Sequence, residues 1–61
     1  MMERGEWIST FKAEFARVVG VNLEEFDEFY SGELDNWLED NEWENISPHE
    51  AVDVNMSYWG D

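Results

Sequence analysis

Apolar residues recur along this chain at helical spacing, not in alternation. Trp7, Phe11, Phe15 and the pair Val18/Val19 follow one another at intervals of four, four and three or four, with Ile8 and Ala13 alongside. That period puts them on one stripe and predicts a helix over residues 4–19. Gly20 stands where a left-handed C-terminal cap belongs, and Arg17 lies in the last turn, where positive charge suits the helix dipole. Asn22 then offers an N-cap, with Glu25 three residues on as in a capping box. Leu23, Phe26, Phe29 and Tyr30 form the stripe of a short second helix, which Ser31-Gly32 is expected to interrupt. Leu34, Trp37 and Leu38 resume the period, so residues 33–40 are a third helix or a kinked continuation, closed by a turn at Asp40-Asn41.

The last helix has the clearest start. Ser47 is placed at the N-cap, Pro48 at the first helical position and Glu50 at the third. Ala51, Val54 (or Asn55) and Tyr58 share one face, and Val52, Met56 and Trp59 an adjacent one. The helix is expected to run from Pro48 to about Trp59 and stop at Gly60. No alternating strand pattern persists and no internal repeat is present. The expectation is an all-α fold, one small domain over residues 1–61 built from three to four short helices with an acidic face.

Composition changes this picture mainly through charge. The chain has 61 residues, 16 acids, three Lys or Arg, one His and no Cys, for a net charge of −13. Such a charge on a poorly hydrophobic chain would mean disorder, but 43% hydrophobic and 16% aromatic residues supply surface to bury. A domain of this size buries only about 60% of its unfolded surface, so aromatic packing or self-association must take the place of a disulfide or metal staple. A homodimer through Trp7 and Phe11 on the near-neutral first helix is therefore expected. The acidity excludes a basic nucleic-acid footprint. The sequence shows no membrane-length apolar run and no glycine-rich phosphate loop, and with no cationic stretch leading into an apolar segment a signal peptide is not expected. A soluble, cytoplasmic protein that is not an enzyme and holds no cofactor is expected.

The charge is unevenly distributed. Residues 1–17 sum to zero, with Arg4, Lys12 and Arg17 against Glu3, Glu6 and Glu14, whereas residues 18–61 hold 13 acids and no base. Ten of these form the candidate partner-binding set: Glu24, Glu25, Asp27, Glu28, Glu33, Asp35, Glu39, Asp40, Glu42 and Glu44. They interleave with apolar positions, so folding should display them on the solvent side. Drawn out as one helix, residues 24–44 would extend about 32 Å with roughly one charge per 3 Å. One strand of duplex DNA carries a phosphate about every 3.4 Å.

Other chemistry is less well supported by the pattern. Asp35, Glu39, Asp40, Glu42 and Glu44 lack the D-x-[DN]-x-[DN]-G frame of a calcium loop. Paired carboxylates for acid–base catalysis would have no substrate cleft in so short a chain. His49 reads as a surface residue near a helix cap, and Trp7, Phe11 and Phe15 as core or dimer interface. Trp43, in a loop between acids, either plugs the core or is an exposed anchor for a partner.

The acid-rich segment LEEFDEFYSGELDNWLEDNEWE, the SPHEAV helix start, the small size and the absence of Cys together resemble the small acidic helical proteins encoded by bacteriophages, particularly those that act as DNA mimics. The resemblance covers the general character of the whole chain. It implies an inhibitor that occupies the DNA-binding channel of a host restriction, CRISPR, gyrase or nucleoid protein, in the host cytoplasm. Mimics share charge layout and not sequence, so no binding residue is transferred from the family. The alternative function is a helical protein-interaction adaptor or regulator whose acids serve only solubility.

Overall fold

Sixteen residues from Arg4 to Val19 form helix α1, the span that the aromatic period predicts. The computed structural model describes residues 2–59. Helix α1 ends as expected at Gly20, whose φ of 88° is left-handed, and the amides of Gly20 and Val21 both donate to the Ala16 carbonyl. Asn22 then restarts the chain with a full capping box: Glu25 N–H donates to Asn22 Oδ1 at 2.8 Å, and Asn22 N–H donates to Glu25 Oε1 at 3.1 Å.

The next stretch is one helical rod in three segments: α2 (Leu23–Glu25), a π-helical segment (Phe26–Tyr30) and α3 (Ser31–Leu38). Ser31-Gly32 does not interrupt it; the irregularity lies just before, in the π turn. The pattern supplies a reason. Phe26, Tyr30, Leu34 and Leu38 are spaced by four, and each such step advances an α-helical face by about 40°. A widened π turn takes up part of that drift, keeping Phe26 and Leu34 buried and Tyr30 and Leu38 half-buried. The same turn corrects the expected stripe. Three residues fall further short of a full revolution there, so Phe29 leaves the face of Phe26 and is 69% exposed; Leu23 is exposed as well.

Leu38 ends the rod because Glu39 is extended, with ψ 137°. Asp40 and Asn41 are both left-handed, at φ 55° and 56°, so the turn expected there is present, within a 3-10 segment (Glu39–Asn45). Asp and Asn tolerate this conformation better than other non-glycine residues. Helix α4 (Pro48–Ser57) begins as read, with Glu50 N–H donating to Ser47 Oγ at 3.2 Å. It ends two residues before the expected Trp59; Gly60, the expected stop, lies outside the described residues. The last turn tightens, with Tyr58 N–H bonded to the Asn55 carbonyl and Trp59 N–H to that of Met56. Among the described residues no strand occurs. The protein is a small all-α domain.

The core is aromatic. Trp7, Phe11, Phe15, Phe26 and Val52 are 0–2% exposed, joined by Ala51 and Leu34. Phe15 meets Phe11, Phe26, Tyr30 and Trp59 at centroid distances of 5.0–5.8 Å. Such ring pairs contribute about 0.5–1.5 kcal/mol each beyond their burial, a large share for a domain without cross-links. Trp7 stacks on Phe11 at 5.3 Å and donates its indole N–H to the Ile46 carbonyl at 2.9 Å, tying α1 to the segment that leads into α4. Stripe positions that differ from the sequence reading are Ala13 and Val18 of α1 and Tyr58 and Trp59 at the end of α4, all exposed; of the alternatives Val54 and Asn55, Asn55 faces inward.

Candidate acidic interface

Nine of the ten candidate acids are exposed and Glu33 is half-buried. Their surroundings divide them. Glu25 serves the capping box. Asp27 pairs with Lys12 Nζ at 2.8 Å, so the Lys12 charge, assigned from the sequence to balance its own helix, reaches across to the acidic segment. Glu33 Oε1 accepts from Asn55 Nδ2 at 2.8 Å, and Asn55 Oδ1 accepts from Trp37 Nε1 at 3.3 Å. For Glu24, Glu28, Asp35, Glu39, Asp40, Glu42 and Glu44 the described residues provide no ion pair and no side-chain hydrogen bond. These seven project from the rod and from the turn that follows it.

The single 32 Å line of charge is corrected by the break at Glu39. Six of the acids lie on the rod between Glu24 and Leu38, about 22 Å long, while Glu39, Asp40, Glu42 and Glu44 turn off its end. The molecule measures 28 × 26 × 17 Å, shorter in every direction than the extended estimate. On the rod the spacing is roughly one charge per 4 Å, still close to a phosphate strand. Among the described residues no group of three or more His, Asp or Glu side chains is arranged to hold a metal ion.

Arg17 and His49 form a separate cluster around Glu14. Arg17 makes two hydrogen bonds to Glu14, at 3.2 and 2.7 Å, and His49 Nδ1 lies 3.5 Å from the same carboxylate. The hydrogen bond from Arg17 holds Glu14 below its ordinary pKa; burial opposes this, and the charges of Arg17 and His49 reinforce it. The Arg17 pKa rises through the same bond. His49 thus joins the start of α4 to α1 in addition to lying near the cap.

The aromatic candidates are also placed. Trp7 and Phe11, expected from the sequence to be homodimer contacts, are enclosed within one chain at 2% and 0% exposure. Trp43 packs edge-on against Trp7 at 6.3 Å and is half-buried, with its indole N–H buried and without a hydrogen-bond partner among the described residues. It also lines a cleft of about 650 Å³ with Met2, Ile46 and Pro48, so it is a core plug with one open edge. A second cleft, of about 420 Å³, lies between Glu33, Asn36 and Trp37 of α3, Glu42 of the turn, and Asn55 and Tyr58. The sequence reading missed this grouping. Its one available signal was Asn55, an amide at core spacing from Ala51, which a buried site must supply with partners. Among the described residues no helix is long and apolar enough to cross a membrane. Comparison with protein-family models, curated proteins and solved structures gives no match.

Proposed function

We propose that this protein is a DNA-mimic inhibitor that binds the basic nucleic-acid-binding surface of a host protein and blocks its access to DNA. The observation that carries the reading is the set of seven exposed carboxylates, without an ion pair among the described residues, on a rod and turn fixed by a buried aromatic core. Because the scaffold is packed, the carboxylates would meet a partner's Lys and Arg with little loss of chain entropy on contact. Charge steering would speed the encounter, and affinity would fall steeply with salt. No bond is made or broken, so the mechanism is occupancy.

The test is competition. A basic host protein captured on this chain should release DNA as the inhibitor is added, and the wild-type chain alone should not shift duplex DNA at low salt. Lys substitutions at Glu28, Asp35 and Glu39 should abolish competition. A complex with bare DNA, or competition that survives these charge reversals, refutes the reading. The exposed Phe29 and Leu23 favour a second reading, a helical adaptor that binds through an apolar face, with a second copy of this chain among its partners. In that case Phe29→Ser would abolish binding and the Lys substitutions would leave it intact.

A further inference from the structure

The cleft between α3, the turn and the end of α4 contains a fixed carboxylate beside two aromatic rings. Glu33, Asn36 and Trp37 share one face of α3 through their spacing of three and four. Glu42 enters from the turn, and Tyr58 from the tightened end of α4, where a three-residue step aligns it with Asn55. The Trp37–Asn55–Glu33 chain of hydrogen bonds holds this arrangement, because Asn55 is 6% exposed and its amide spans the other two side chains. Only Glu33 Oε1 is engaged in that chain, so the second oxygen is available to another donor. The rings differ in accessibility: Trp37 is half-buried and Tyr58 is 80% exposed.

Two carboxylates in one cleft, with no ion pair to Arg4, Lys12, Arg17, His49 or any other of the described residues, set a negative potential there. Aromatic faces attract cations through their quadrupole, and a planar guanidinium both stacks on such a face and donates to carboxylates in a fork. An ammonium group gains less from this geometry, since it is a compact, strongly hydrated point charge. We infer that this cleft is a binding site for a guanidinium group, the side chain of an arginine presented by a partner. As the docking point of a basic nucleic-acid-binding protein it rests on the reading above; its chemistry can be tested without any partner.

The experiment titrates the intact protein with guanidinium chloride, methylammonium chloride and sodium chloride at matched ionic strength, following the Trp37 indole N–H and Asn55 side-chain amide resonances. The expected result is a saturable shift with guanidinium alone, at concentrations far below those that unfold the chain. Glu42→Gln and Tyr58→Ala should each weaken it about two- to fivefold. Both residues are exposed, so these variants leave the core intact. An equal response to methylammonium, or a guanidinium response unchanged in both variants, overturns the inference. Should guanidinium bind as expected while no DNA-binding protein competes, the mimic reading falls and the guanidinium site stands. A partner whose affinity is unaffected by both variants removes the cleft as its docking point.

Discussion

Asn55 is the residue on which most of the local chemistry depends. Its amide occupies a core position of α4 and is satisfied on both sides, by Trp37 and by Glu33. Asn55→Ala would leave a half-buried indole N–H without its acceptor and should lower unfolding free energy by about 1–3 kcal/mol in a urea titration. Glu14 gives a prediction with a definite pH window. Its folded pKa is lowered, so the native state binds its proton less readily than the unfolded chain does. The stabilisation is present above the unfolded value and is lost as pH falls through the folded one. Melting points of wild type and Glu14→Gln should therefore differ at pH 7 and converge in acid, below the ordinary carboxylate range. A difference that persists there would place the effect in packing. Glu14 itself was legible only as a neighbour of Arg17 in sequence; its approach to His49 depends on α1 meeting α4.

At the scale of elements, the ends were more legible than the faces. A cap is a local event, decided by one residue's φ and ψ and a side chain three positions away, so Gly20, the Asn22–Glu25 box and Ser47-Pro48 all stand where the sequence places them. Two glycines test this in opposite directions. Gly20→Ala meets no atom within 4 Å but must hold φ at +88°, and should destabilise by about 1–2 kcal/mol through backbone strain alone. Gly32 lies inside α3, also with open space around it, so Gly32→Ala should stabilise by up to about 1 kcal/mol. Thermal melts of the two variants should move to opposite sides of wild type. The π turn was not legible, because local sequence does not report when a helix must widen to keep four-residue spacing against a core.

For the whole molecule, charge is the dominant quantity. Thirteen net negatives confined within 28 × 26 × 17 Å repel one another more closely than in the unfolded chain, where the average separation is larger. Screening weakens this repulsion, since the Debye length shrinks from about 30 Å at 0.01 M salt to about 10 Å at 0.1 M. The melting temperature should rise over that range of sodium chloride, and Asp35→Asn should raise it at low salt while weakening partner binding. A melting point that does not change with salt would mean the exposed acids are compensated in the folded state. Opposing the repulsion is the aromatic core, whose largest side chains come from α1, the π turn and α4.

The sequence by itself determined the all-α class, the span of α1, the start of α4, the Asp40-Asn41 turn and the identity of Trp7, Phe11 and Phe15 as apolar stripe residues. Each follows from short-range spacing or a single residue's backbone preference. Tertiary structure decided which aromatics stayed outside. Phe29 and Tyr58 share nominal stripes with Phe26 and Ala51, yet the π turn and the tightened end of α4 leave both exposed. It also decided that Lys12 reaches Asp27 and that Glu33 is held by Asn55. These are relations between segments 15 or more residues apart, fixed by how the helices pack, and no local period encodes them.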